Sequence, residues 1–174
     1  MASFITLLSL SAHAGSAIGH PVPLEIATGA GLAFTSAAVP VSTVVFDHCD
    51  NTTETVSVNA TLDPIAGAEI VFPPGNICGL RINLSDRFLL AGTGPSNSAF
   101  DLSLGVVRID IVLDAPVFVP SNGASGGTQL ELASADWVTA TMLGLDPNEH
   151  VTVGATHALH DPLRNAVRAE STGW

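Results

Sequence analysis

The chain predicts a mainly β fold: an antiparallel β-sandwich carrying one or two short C-terminal helices. Three observations carry that expectation. Several segments alternate apolar and polar residues with period two, turn residues recur between them at short intervals, and Cys49 and Cys78 bracket one of the alternating runs. Alternation places every second side chain on one face, which suits a strand packed on one side and defeats a helix. Many short strands separated by turns favour a sandwich over alternating β and α units.

Taken in order, residues Met1 to Ala14 resemble a secretory signal. An apolar stretch runs from Phe4 to Ala12, and Ala12 and Ala14 supply the small residues around a cut after Ala14. The stretch lacks Lys and Arg, and it also reads as a first β-strand. Residues 15–174 are expected to form a single β-sandwich domain, long enough for one core and too short for two.

Val39 to Asp47 is β-branched and almost wholly apolar, as expected of a strand covered on both faces. Thr55 to Leu62 sets Val56, Val58, Ala60 and Leu62 opposite Thr55, Ser57, Asn59 and Thr61. Asn76 to Leu84 sets Leu80, Ile82 and Leu84 opposite Arg81 and Asn83, and Gln129 to Leu132 and Val151 to Val153 are shorter versions. Between Phe100 and Leu113 the phase switches at Gly105-Val106. That implies either one bent strand that changes sheets or a tight hairpin. Asp63-Pro64, Pro73-Pro74-Gly75, Gly92-Thr93-Gly94-Pro95 and Asp114-Ala115-Pro116 are turn signals, and residues 121–127 read as a flexible loop.

The last third changes character. Ser134 is placed to cap a helix from Ala135 to Leu143, with Gly144 past its end. Asp161-Pro162 opens a second helix, with Leu163, Ala166 and Val167 on the buried face and Arg164 and Arg168 on the wet one.

Composition narrows the function classes. The chain has no lysine, five arginines and a net charge of −11, so it is no partner for a polyanion, whose phosphates need clustered basic residues. Nucleic acid and anionic lipid surfaces are excluded on that ground. Schiff-base chemistry and the phosphate-loop lysine are excluded by the missing lysine. No stretch is long and apolar enough for a transmembrane helix.

A Cys49–Cys78 disulfide, closing a loop of 29 residues, would stabilise the fold by about 3–4 kcal/mol and suits an exported, secreted, periplasmic or cell-surface protein. The same residues also read as two buried free thiols. His48 beside Cys49 is an activating partner only if Cys49 is free. His150, His157 and His160, with Asp161, are the one histidine cluster that converging strand, turn and helix could bring onto a metal such as zinc. Asp47, Asp50, Asn51 and Glu54 crowd the turn at Cys49 with oxygen ligands of the kind calcium takes. Gly123, Ser125 and Gly127 satisfy the spacing of a hydrolase nucleophile elbow, but without the strand-then-helix setting that strains the serine. Asn51, Asn59 and Asn83 head glycosylation-type triplets.

The predicted sandwich resembles immunoglobulin-like domains at the level of architecture alone. The tryptophan those domains hold between their cysteines is absent, since Trp137 and Trp174 both lie downstream. The function this predicts is an exported, non-enzymatic binding, adhesion or surface-structural module. Its partner is another protein or a second copy joined by β-strand addition, with the segment before Pro21 as one added strand. The alternative is a metal-binding protein or metal-dependent hydrolase built on His150, His157 and His160.

Overall fold

The computed structural model describes residues 19–122, 127–169 and 171–173. The expected signal segment and the nucleophile-elbow serine, Ser125, lie outside them. The chain runs β1 (His20–Ile26), β2 (Ala33–His48), β3 (Thr53–Leu62), β4 (Ala68–Phe72), β5 (Gly75–Leu84) and β6 (Phe88–Thr93). After a 3-10 turn at Pro95–Asn97 come β7 (Ala99–Leu104), β8 (Arg108–Val119), β9 (Leu130–Leu132), α1 (Ala140–Leu143), β10 (His150–Val153), α2 (His160–Ala169) and β11 (Ser171–Gly173). The fold is mainly β, as expected.

β2 is the longest strand because a slip in its register lets it stay amphipathic throughout. Val39 and Val41 are buried, and so are Val44 and Phe46, which lie in the opposite phase. The register shifts between Val41 and Thr43 against both neighbours, and such a bulge turns the following side chains back to the core. Ser42, the extra residue, donates its hydroxyl to the Asn83 carbonyl. Residues 33–38 of β2 pair with β6, and the remainder pairs with β3 on one side and β5 on the other.

The strands follow one pairing path, β10-β7-β6-β2-β5-β8-β11-β9-β1-β4, with β3 attached to β2. The expectation of a purely antiparallel sheet is corrected here. β1–β9, β7–β10 and β8–β11 are parallel. Parallel neighbours need a long connection between them. The C-terminal third provides it, because β9, β10 and β11 return beside strands laid down far earlier in the chain.

Several local expectations are refined. Phe100 to Leu113 is neither one strand nor a hairpin: β7 and β8 are separated at residues 105–107 and take different partners. The interruption serves the phase switch, keeping Phe100, Leu102 and Leu104 buried before it and Ile109, Ile111 and Leu113 buried after it. β3 is an edge strand whose Val56, Val58 and Leu62 are half-buried and whose Ala60 is exposed. The first helix starts later than predicted. Thr139, not Ser134, caps it by accepting the Met142 N–H, and Gly144 ends it at φ 64°, a conformation that favours glycine. The second helix begins one residue before Asp161, buries Leu163 and Val167, and packs on β7, β8 and β11. β1, β4 and β6 carry no prediction from the sequence.

Cys49 and Cys78 are joined, with their Cα atoms 5.1 Å apart. The bond does not close a hairpin, because β3 and β4 lie between the strands it ties. It links the end of β2 to β5 at a point where the β2–β5 and β5–β8 ladders both skip a residue at Cys78. The disulfide therefore clamps a point where both ladders break register. The core beneath is aliphatic with a few rings: Phe46 of β2 meets Phe72 of β4 edge-on at 5.1 Å between centroids. Phe88 meets Trp137, whose indole N–H donates to the Ala27 carbonyl. Gly92 permits one close approach, since a Cβ there would sit 2.6 Å from both the Phe100 ring and the Ala33 carbonyl oxygen.

Replacing both cysteines by alanine is expected to lower unfolding stability by about 3–4 kcal/mol, the chain-entropy value for a loop of this size. Urea denaturation of the oxidised protein and of the double variant measures it. A loss below ~1 kcal/mol would mean that the β2–β5 ladder holds this end unaided.

Candidate functional site

The histidine cluster separates into two His–Asp pairs, with His157 in neither. His150 opens β10, which lies beside β7 in parallel register, and this puts its Nε2 2.6 Å from Oδ2 of Asp101. Both side chains are more than half exposed. His157 lies in the turn before α2, where its Nδ1 accepts the Leu159 N–H at 3.2 Å. His160 is buried at the start of α2. Its Nε2 accepts the backbone N–H of Gly105 at 3.2 Å, and its Nδ1 lies 3.0 Å from Oδ1 of Asp161.

An amide N–H can only donate, so Nε2 of His160 bears the lone pair and the Nδ1 hydrogen points at Asp161. Both ring nitrogens are then used within the fold. The hydrogen bond from His160, followed by the charge of Arg164, holds the Asp161 carboxyl below its usual range. His160 is thus a tie between α2 and the β7–β8 crossover. Among the described residues, no group of three or more His, Cys, Asp or Glu side chains is placed to share a metal ion. Of the four predicted zinc ligands, His160 and Asp161 are brought together, while His150 pairs with Asp101.

The oxygen-rich turn at Cys49 is likewise internally satisfied. Asp50 Oδ1 accepts the Thr52 N–H and hydroxyl, which places its carboxyl below the usual range. Asp47 pairs with Arg81 at 2.7 Å, and Glu54 lies 3.6 Å from His48. Asn51, at φ 67°, turns the chain from β2 into β3. Cys49 is in the disulfide and offers no thiolate. Of the glycosylation-type asparagines, Asn51 and Asn59 are exposed, whereas Asn83 donates to the Thr43 hydroxyl.

A different surface is assembled where β1 runs past its neighbour. β1 pairs with β4 through Leu24↔Ala68 and with β9 through Leu24 to Ile26. At Glu25 and Ile26 the β4 side of β1 has no strand partner among the described residues. A groove of roughly 520 Å³ occupies that position, bounded by Phe34 of β2 and by Pro64, Ile65 and Gly67 of the β3–β4 turn. Leu24 and Ile26 belong to the apolar face of β1. Glu25 and Glu69 line the groove from the other, exposed face. Glu131 lies directly across from Glu25 in the parallel β1–β9 register. Partial burial first, and the Glu25 charge second, push the Glu131 carboxyl above its usual range.

These residues went unnoticed in the sequence, although Val22-Pro23-Leu24-Glu25-Ile26 alternates faithfully. Pro21 and Pro23 mask it, since proline cannot donate to a ladder and argues against an interior strand. The three glutamates, spread over residues 25, 69 and 131, share a face only through strand pairing.

His160→Ala is expected to destabilise the protein by about 1 kcal/mol, because the buried ring is lost together with its part-buried hydrogen bond to the Gly105 N–H. Urea denaturation measures it, and an unchanged midpoint would remove His160 as a tie. Glu131→Gln is expected to stabilise the protein at pH 7. A carboxyl whose folded pKa is raised carries its penalty above that pKa and none below the usual carboxylate range. The gain should therefore vanish as the pH falls through that range, which thermal melts from pH 7 to pH 3 test. A pH-independent gain would assign it to something other than ionisation.

No helix among the described residues is long and apolar enough to cross a membrane. No protein-family model, no curated protein and no solved structure matches this chain.

Proposed function

We propose that this chain is an exported, non-enzymatic binding, adhesion or surface-structural module. The observation that carries the reading is the uncovered edge of β1 at Glu25–Ile26 beside an apolar groove. Backbone donors and acceptors on such an edge are a ready template for one more strand, and the groove offers side-chain contacts next to it. The Cys49–Cys78 bond favours an oxidising compartment. The contact between Phe46 and Phe72, on strands distant along the pairing path, favours a sheet folded over itself as a sandwich. The strand acceptor would engage another protein or a second copy of the chain.

The second reading is a metal-binding protein or metal-dependent hydrolase using His150, His157, His160 and Asp161. The contact of His160 with Asp161 favours it, and it requires His160 to release Gly105 and reorient.

Native mass spectrometry of the non-reduced protein from its own source separates the two. The expected result is a metal-free, disulfide-bonded species, alone or with a protein partner. One zinc ion per chain, lost in the His157→Ala variant, would overturn the module reading and bring the histidines forward.

A further inference from the structure

We infer that the groove beside Glu25 receives an extended segment of a different protein in which basic and apolar side chains alternate. The inference rests on the reading of the chain as a binding module and adds the chemistry of the partner. Three features of the site specify that chemistry.

The first is geometry. Beyond Leu24↔Ala68 the β4 side of β1 is open at Glu25 and Ile26, where an added strand can pair before the chain is covered again at Thr28, whose carbonyl accepts the Asp136 N–H. Successive side chains of that strand fall on opposite faces of the sheet. One face continues the row of Leu24 and Ile26, with Phe34 and Ile65 bounding the groove. The other continues the row of Pro23, Glu25 and Glu69, which share a face by register.

The second is charge. Glu25 and Glu69 line the groove and no Lys, Arg or His does. Glu131 stands next to Glu25 and is already disfavoured as a carboxylate by burial and by that neighbour. A cationic side chain laid over Glu25 relieves this repulsion and pairs with groups that have no cationic partner among the described residues. Apolar and basic residues in alternation are the complement of the two faces.

The third is the exclusion of self. A second copy brings a net charge of −11 toward the same carboxylates. Residues 1–18 contain neither Lys nor Arg. Of the five arginines, Arg81, Arg108 and Arg164 are paired with Asp47, Asp110 and Asp161. Arg87 lies in the β5–β6 turn and Arg168 in α2, neither in an extended segment that alternates basic and apolar residues. The occupant is therefore a heterologous strand.

The test is fluorescence anisotropy with the whole chain, disulfide intact, and a labelled hexapeptide of three Arg-Val repeats. Saturable one-to-one binding is expected, weakened by salt. Glu25→Gln and Glu69→Gln should each weaken it about threefold, in keeping with part-exposed ion pairs. Ile65→Ser should weaken it as well, and Asp86→Asn, in the β5–β6 turn, should not. A peptide of Arg-Ser repeats should bind less well and one of Glu-Val repeats not at all. Near-UV circular dichroism confirms that each variant keeps its fold. Equal binding of the Glu-Val peptide, equal weakening by Asp86→Asn, unchanged affinity in the Glu25→Gln/Glu69→Gln variant, or no binding at millimolar peptide would each overturn the inference. Those failures concern the partner alone. Failure of the module reading shows instead as a stoichiometric metal ion in the native mass spectrum.

Discussion

The structure depends on β2 remaining a single amphipathic strand over sixteen residues. It pairs with β6 near its start and with both β3 and β5 later, so three strands take their position from it. Its inward residues, from Ala37 to Phe46, lie at the centre of the aliphatic core. Strict period two would expose half of them. The bulge at Ser42 prevents that, and the Ser42–Asn83 hydrogen bond anchors the extra residue to the neighbouring strand. The disulfide then secures the far end, where the β2–β5 and β5–β8 ladders both slip at Cys78. Hydrophobic alternation, one bulge and one covalent tie therefore act on the same strand.

Around this frame the C-terminal third behaves as a set of insertions. β9, β10 and β11 are three or four residues long, too short to be stable without established neighbours. Each lies parallel to an earlier strand, which a chain can achieve only after travelling some distance. α2 covers part of β7, β8 and β11 through Leu163 and Val167. His160 adds a directional contact to that apolar one, because it holds the Gly105 amide where β7 breaks off and β8 has not begun. Ser171 plays a similar part, accepting the Ala133 N–H and donating to the Val167 carbonyl. The polar groups buried in this region are thus paired, as a low-dielectric interior requires.

Two charged regions with similar composition differ in physical state. The carboxylates around Cys49 each have a partner: Arg81 for Asp47, Thr52 for Asp50, His48 for Glu54. Beside the groove Glu25 and Glu131 face one another across the β1–β9 pair and Glu69 shares their face, and none of the three forms an ion pair with a basic side chain among the described residues. A cluster of acids near a turn is easily noticed in a sequence and proves to be self-contained. The scattered set lies next to an open strand edge.

How much was legible depended on how far apart the relevant residues lie. Local alternation marked the strands at residues 55–62 and 76–84 and an apolar β-branched run marked 39–47, though its outer face is only half-covered, and the turn residues between them placed most breaks. The second helix was readable from Asp161-Pro162 because capping acts within one turn. Ser134 misled for the same reason reversed: the chain bends through Ala133 and Asp136 at positive φ, and Thr139 takes the cap a few residues later. Cys49 and Cys78 suggested their own pairing, but their spacing did not reveal that β3 and β4 lie between the strands they tie. The histidines looked like a set in sequence and were divided by the partners that β10 and α2 bring to them. By itself the sequence determined that this protein is mainly β and acidic, since composition and period two can be read without knowing which residues meet. Tertiary structure alone decided the mixed sheet, the separation of the histidines and the meeting of Glu25, Glu69 and Glu131. Those outcomes depend on strand pairing between residues tens to more than a hundred positions apart, where local patterns carry no information about the partner.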